Sequence, residues 1–132
     1  MSAPVEDAVL EAARGLVEAF GRHDTAAYFG CFAANATFVF YTADRPLRSR
    51  EAYAGLWESW EREDGFHVLS CGSTDQHVQV VDDNVAVFTH RVATRVATSA
   101  GEESLDERET IVFARQPDER WLAVHEHLSP SA

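Results

Sequence analysis

The chain has 132 residues, of which 45% are hydrophobic and 11% aromatic, so it has enough apolar material for a folded core and does not have a disordered composition. Its formal net charge of −11 disfavours binding to nucleic acids and to anionic membrane surfaces, because both present phosphate charges. This length predicts a single domain that spans residues 1–132.

The first residues, Met1-Ser2-Ala3-Pro4, have neither the basic nor the apolar segment of a signal peptide. No apolar run approaches the roughly 20 residues that a membrane span needs. Cys31 and Cys71 are the two cysteines and lack CxxC spacing, so we interpret them as buried free thiols. These features predict a cytoplasmic protein.

The first half of the chain predicts helices. Apolar residues recur at helical spacing from Val9 to Phe20, and Gly21 is a plausible end of this first helix. Asp24 can cap a second helix over Thr25–Phe32. Ser49 can cap a third helix, whose apolar residues again recur at helical spacing and which ends at Asp64-Gly65. The apolar positions of the third helix are Tyr53, Leu56, Trp57 and Trp60.

Strand patterns follow the second and third helices. Asn35–Tyr41 is rich in β-branched and aromatic residues, which favours a first strand. After Phe66 the chain alternates strand-like segments with short turns, and three hairpin connections in a row predict an antiparallel meander. The predicted segments are Phe66–Val81, Val85–Thr98, Leu105–Arg115 and Trp121–Leu128. Helices followed by antiparallel strands indicate the α+β class, with a hollow between sheet and helices for a ligand.

The C-terminal segment reads Arg108-Glu109-Thr110-Ile111-Val112-Phe113 and, after a turn, Arg120-Trp121-Leu122-Ala123-Val124-His125-Glu126-His127-Leu128-Ser129. This pattern resembles the end of SnoaL-like domains of the NTF2-like superfamily. It is most similar to the subset that includes the association domain of calcium/calmodulin-dependent kinase II. Asp24-Thr25-Ala26-Ala27-Tyr28 and His77-Val78-Gln79-Val80-Val81 extend the resemblance over nearly the whole chain.

The resemblance implies a cone-shaped, curved antiparallel sheet packed on N-terminal helices, an α+β barrel of the cystatin-like type. It also implies a homodimer, formed partly through the outer face of the sheet. Tyr28 falls where the family often has a pocket tyrosine, and Arg91 matches a pocket arginine of the kinase association domain. The second pocket arginine of that domain is replaced here by Ile111.

His125 and His127 are candidate catalytic residues, together with Tyr28. Residues two apart in a strand point to the same side, so both histidines would line the concave face if Trp121 packs inward. One of them would exchange a proton near neutral pH. The alternative is that hydrogen bonds to neighbouring groups hold both rings as structural histidines.

Glu109 and Arg91 are candidate ligand-binding residues, with two interpretations left open. Glu109 can face the histidines from the neighbouring strand, and Arg91 can bind either an anionic ligand or Glu109 itself. A His-x-His pair with a glutamate also matches metal chemistry, but no third and fourth ligand is evident, so we predict no metal and no cofactor.

The remaining candidates form walls or supply a further histidine. Trp57, Trp60 and Phe113 are predicted to line the ligand, and His90 is a further polar candidate. Ketosteroid isomerases of this superfamily need two acids at positions that read Phe38–Tyr41 and Ile111 here, so the sequence disfavours that mechanism.

Two functional hypotheses follow. The first is a pocket protein for a small apolar carbonyl compound, acting as an isomerase, dehydratase or cyclase, since no nucleophile with its base is evident. The second is a non-catalytic ligand-binding, dimerisation or assembly domain, as the association-domain resemblance implies.

Overall fold

The computed structural model describes residues 3–131, and within them three helices pack on a five-stranded sheet. In chain order the elements are α1 (Ala3–Gly21), α2 (Thr25–Phe29), β1 (Phe32–Phe40), α3 (Arg50–Asp64), β2 (His67–Asp82), β3 (Val85–Thr98), β4 (Gly101–Arg115) and β5 (Trp121–Pro130). This is the α+β architecture that the sequence predicts. None of the helices in this range has the length and apolar content needed to span a membrane.

The helix ends follow the local sequence signals. The Asp24 side chain accepts a hydrogen bond from the Ala27 N–H at 3.2 Å, and the Ser49 hydroxyl accepts one from the Ala52 N–H at 3.0 Å. Each bond satisfies an N–H that the first turn of a helix leaves free, so both predicted caps are confirmed. Gly65 ends α3 in the left-handed region, with φ of 64°.

The sheet is mixed, so the prediction of a wholly antiparallel sheet was wrong for one strand pair. The strand order is β1-β5-β4-β3-β2, and β1 runs parallel to β5. The reason is that α3 carries the chain from β1 to the opposite edge of the sheet, where β2 begins. The strands β2 to β5 then form the predicted antiparallel meander.

The predicted strand boundaries hold best where turn signals flank the strand. The prediction for β3 is confirmed at both ends, and β2 is one continuous strand of 16 residues. Near the N-terminus the sequence misplaced a boundary, because α2 ends at Phe29 and β1 already begins at Phe32. The predicted loop over residues 100–103 is shorter, since β4 begins at Gly101.

The core lies between the helices and the concave face of the sheet. Val9, Ala13 and Leu16 of α1 are buried, as their helical spacing predicts. Trp57 of α3 is also fully buried, and its ring packs edge-on against Phe29 and Phe66. Burying these side chains supplies most of the stability of such a layer. The helices do not fill the concave face completely, and the space that remains forms the site described next.

Candidate functional site

A cavity of about 260 Å³ lies between the helices and the concave face of the sheet. This volume is just below the range of about 300–1,000 Å³ that is usual for ligand pockets, so the cavity suits a small molecule. Aromatic rings form much of its wall, namely those of Phe20, Tyr28, Phe40, Tyr53, Trp57, Trp60 and Phe66. Thr42, Asp64 and Glu103 line the cavity but are exposed, so they mark its open side.

The inner wall of the cavity carries two neighbouring carboxyl groups, Glu109 on β4 and Glu126 on β5. Glu126 pairs with Ile111 in the ladder, which places it diagonally across from Glu109, within side-chain reach. The two carboxyl groups are hydrogen-bonded to each other, which requires that they share a proton. Such a pair in an apolar cavity is a common arrangement for proton transfer.

A chain of hydrogen bonds leads from this pair to the surface. Gln76 Nε2 donates to Ser73 Oγ at 2.9 Å, and Ser73 Oγ lies 2.6 Å from His90 Nδ1. His90 Nε2 lies 2.7 Å from Glu109 Oε1. An ionised Glu109 accepts from the His90 Nε2–H, and His90 Nδ1 then accepts from the Ser73 hydroxyl, which itself accepts from the Gln76 amide.

The directions of the two pKa shifts assign the shared proton. Glu109 is the ionised member of the pair, and its carboxylate accepts hydrogen bonds from His90 and Glu126. Burial alone would raise the pKa of Glu109, but the hydrogen bonds from Glu126 and His90 outweigh it, so that pKa is lowered. Burial, together with the neighbouring charge of Glu109, raises the pKa of Glu126 well above its usual value. Glu126 is therefore the protonated acid.

One oxygen of Glu126 has no partner. Glu126 is only 3% exposed, and its Oε1 is buried without a hydrogen bond in the part of the chain that the structure describes. An unpaired buried oxygen costs about 1–3 kcal/mol, and Glu126 lines the cavity. A ligand that reaches the carboxyl group of Glu126 with a hydrogen-bond donor would offset that cost.

A pair of tyrosines supplies the hydroxyl groups of the cavity. The hydroxyl oxygens of Tyr28 and Tyr53 are 2.9 Å apart, and both side chains line the cavity. Burial raises the pKa of both phenols well above the usual value. Both remain protonated, and because only one proton lies between them, the other remains free to bind an oxygen of a ligand.

Between the mouth and the carboxyl pair, β4 turns a further carboxyl group inward. Glu107 is buried, and its carboxylate accepts a hydrogen bond from the hydroxyl of Tyr41. Burial raises the pKa of Glu107, although the bond from Tyr41 opposes this shift. Glu103, Glu107 and Glu109 therefore form a column of acids along one face of β4.

Four of the residues singled out in the sequence line the cavity: Tyr28, Trp57, Trp60 and Glu109. His90 lies directly behind Glu109 and is bonded to it, so it supports the cavity without forming its wall. Phe113 is fully buried, but in the core beyond the cavity, where it packs near Phe88. The prediction that Phe113 lines the ligand was therefore wrong.

The predicted inward orientation of His125 and His127 was also wrong. In the ladder Phe113 pairs with Ala123, whereas Val112 pairs with His125, so β5 contains one extra residue, Val124. This bulge reverses the alternation that holds before it, and Glu126 instead of the histidines faces the cavity. His125 is bound on the outer face, where its Nδ1 lies 2.7 Å from Thr37 Oγ1, and His127 is exposed.

Arg91 lies outside the cavity as well. Its residue neighbours in β3, His90 and Val92, are buried, so the alternation of the strand turns Arg91 to the exposed face. There it forms a two-point ion pair with Asp106, with distances of 2.9 and 2.7 Å. Both the predicted role in anion binding and the alternative pair with Glu109 are contradicted by this placement.

Several residues of the site were not recognised in the sequence. The signal for Glu107 was present, since Glu103, Leu105, Glu107 and Glu109 alternate along one strand. Glu126 has no such signal, because its orientation depends on the bulge at Val124. Within residues 3–131 no group of three or more His, Cys, Asp or Glu side chains is arranged to hold a metal ion.

Comparison with known proteins supports the fold. The family model described as SnoaL-like domain matches residues 9–132. A search of curated proteins finds no match to this sequence. Among solved structures, an NTF2-like protein of unknown function in nutrient uptake from Rhodospirillum rubrum superposes with a TM-score of 0.80 at 16% identity, covering 94% of this chain and 98% of its own.

Two further structures are similar at low sequence identity. A ketosteroid isomerase-like protein from Erwinia carotovora atroseptica has a TM-score of 0.80 at 13% identity, covering 96% of this chain and 95% of its own. A protein from Catenulispora acidiphila in complex with S-DNPA has a TM-score of 0.76 at 15% identity, covering 96% and 92%. At these identities the likeness shows the shared fold.

Proposed function

Because the chain belongs to the family of SnoaL-like domains, and because its cavity buries a coupled pair of carboxyl groups, we propose that it catalyses proton transfer on a small carbonyl compound. The reaction would be an isomerisation, dehydration or cyclisation. The pairing of ionised Glu109 with protonated Glu126 in an otherwise mainly apolar cavity carries this proposal, because it places a base and an acid side by side.

Each step of the proposed reaction is assigned to a different side chain of the cavity. Glu109 takes a proton from the carbon next to the carbonyl group, and the electron pair of that bond moves toward the carbonyl oxygen. The free hydroxyl proton of the Tyr28–Tyr53 pair binds the oxygen as its negative charge develops. Glu126 then gives its proton to another carbon or to a departing hydroxyl group, after which Glu109 shares its newly acquired proton with Glu126.

The geometry supports carboxylate chemistry although the sequence disfavours it. The positions that carry the acids in ketosteroid isomerases are apolar here, but Glu109 and Glu126 bring carboxyl groups into the cavity from other positions. Thiol chemistry has less support, because burial raises the pKa of Cys71, the cysteine that lines the cavity, to about 11. The ketosteroid isomerase-like relative and the relative with a bound small molecule are consistent with a pocket that acts on such compounds.

Deuterium uptake tests the proposal. Small cyclic ketones and enones are incubated with the protein in heavy water, and NMR spectroscopy follows exchange at the carbon next to the carbonyl group. We expect catalysed exchange with at least one ketone, and a loss of about 10²–10⁴-fold in Glu109→Gln, which removes the base. Arg91→Ala is the control, because this arginine lies on the outer face, and its rate should equal that of the wild type.

Two results would contradict the proposal. One is the absence of catalysed exchange with every ketone of the series. The other is exchange that Glu109→Gln and Arg91→Ala reduce equally, since the reaction would then not depend on the cavity.

We further propose that the outer face of the sheet forms a homodimer. Val87, Val112 and His125 are paired in the ladder, and His125 is paired with Thr37, so half-buried side chains form a continuous row across four strands. This row favours an association surface and keeps the assembly hypothesis open beside the catalytic one. Light scattering of the intact protein tests it, and a monomeric mass would argue against both a dimer and a larger assembly.

A further inference from the structure

The charge of the cavity lining is one-sided. Five lining residues have carboxyl side chains, namely Asp64, Glu103, Glu107, Glu109 and Glu126. Among the lining residues that the structure describes there is no Arg, Lys or His. The acids extend from the exposed mouth to the buried pair, so a ligand meets carboxyl groups along the whole depth of the cavity.

The arginines of the same strands do not neutralise these acids. Arg91 and Arg95 of β3 both point to the exposed face, where they are paired with Asp106 and Glu102. Inside, the hydrogen-bond partners of the acids carry no fixed positive charge: a tyrosine hydroxyl for Glu107, and His90 with Glu126 for Glu109. The negative charge of the cavity wall is therefore balanced by no arginine.

The buried Glu126 adds an independent observation. Its Oε1 atom is the acceptor without a partner described above, and the residue is only 3% exposed. An N–H group of a ligand that reaches this carboxyl group would offset the cost. Aromatic rings such as those of Trp57 and Tyr53 line the same cavity, and the faces of such rings attract cations as well as apolar groups.

We propose that the ligand of this cavity carries a basic amine and binds as an ammonium ion, with its apolar body among the aromatic rings. The ammonium group would lie among the acids of β4 and donate to the carboxyl group of Glu126. Carboxylic acids and other anions would be excluded by repulsion from the same groups. The inference deepens the proposed function by naming the charge of the ligand at the same site, but it requires binding only and no turnover.

Three ligands of nearly equal size test this charge preference. Benzylamine, benzyl alcohol and benzoate are titrated into the intact protein at neutral pH, with calorimetry and thermal shift as readouts. We expect benzylamine to bind at least about tenfold more tightly than benzyl alcohol, and benzoate not to bind.

Variants locate the effect in the cavity. Glu107→Gln should weaken benzylamine binding about tenfold and leave benzyl alcohol unchanged, because only the charge is removed. Glu103→Gln, at the exposed mouth, should fold normally and weaken benzylamine less. Glu51→Gln is the matched control, since it makes the same change in net charge at an exposed position of α3.

Several outcomes would overturn the inference. These are binding of benzyl alcohol or benzoate as tightly as benzylamine, an equal effect of Glu51→Gln and Glu107→Gln, or no benzylamine binding in the millimolar range. Exchange of a neutral ketone without a preference for ammonium ligands would overturn this inference alone. Benzylamine binding without exchange of any ketone would instead contradict the proposed function alone.

Discussion

Charged side chains have different partners on the two faces of strands β3 and β4. On the outer face Arg91 is paired with Asp106 and Arg95 with Glu102, and these side chains are about half exposed. On the inner face Glu107 and Glu109 have only hydrogen bonds from uncharged or histidine donors. Ion pairs in water contribute little to stability, whereas carboxyl groups away from water change their pKa. A carboxyl side chain on the outer face is therefore an exposed, ion-paired group, whereas a carboxyl side chain on the inner face has an altered pKa.

The largest expected difference between the faces is in stability. Glu109→Ala removes the acceptor of the His90 N–H and of the Glu126 proton, and both are buried. We expect a loss of about 3 kcal/mol in the free energy of unfolding. Asp106→Ala, on the exposed face of the same strand, should change it very little. Urea denaturation measures the free energy of unfolding of both variants. Equal losses would contradict a larger contribution to stability from the buried Glu109 carboxylate than from the exposed Asp106 carboxylate.

A second difference is in the dependence of stability on pH. The raised pKa of Glu126 means that the folded protein keeps a proton which the unfolded chain loses above the usual glutamate pKa of about 4.3. Stability should then fall by up to about 1.4 kcal/mol per pH unit above that value, until Glu126 ionises. The lowered pKa of Glu109 acts in a separate window, below the usual value, where stability is lost as the pH falls.

Glu126→Gln isolates this effect. The amide cannot ionise but can donate to Glu109, so the variant should become more stable than the wild type as the pH rises from about 5 to about 8. The raised pKa of Glu107 affects both proteins equally and cancels in the difference. Thermal unfolding at a series of pH values provides the measurement, and parallel curves for the two proteins would refute the assignment of the proton to Glu126.

The smallest effect is expected at Ser73, which contacts His90 but not the cavity. Ser73→Ala removes one hydrogen bond and should cost about 1 kcal/mol. Glu109 still accepts the hydrogen on Nε2, so the tautomer should stay, but the Nδ1 signal in nitrogen NMR of the imidazole ring should shift because Nδ1 loses its hydrogen-bond donor. Ser70→Ala, at an exposed position of the same strand, is the control. An Nδ1 signal that stays the same in both variants would mean that Ser73 does not donate to His90.

Local signals in the sequence were enough for most of the fold. The caps at Asp24 and Ser49 and the full extent of β3 depend on neighbouring residues, and the structure confirms them. The parallel pairing of β1 with β5 depends on the path of α3 across the sheet, and no local pattern reports such a path. Helices and strands were therefore predictable where the residues that determine them are neighbours in the sequence.

The site was less predictable for the same reason. Strand alternation identifies Glu109 as an inward residue, and it would have identified Glu107 in the same way. Alternation failed in β5, because Val124 is an extra residue and the sequence carries no mark of the bulge. The histidines that were expected inside therefore lie outside, and Glu126 takes their place.

The hydrogen-bond chain from Gln76 through Ser73 and His90 has a consequence for the proposed reaction. It reaches Glu109 from β2, the free edge of the sheet, and not through the cavity mouth at Thr42, Asp64 and Glu103. In the proposed reaction, a proton that Glu109 has taken from the ligand would exchange with water through His90 and Ser73 while the cavity is occupied. Some of the protons returned to the ligand would then come from solvent, although the two carboxyl groups restore each other without an outside proton.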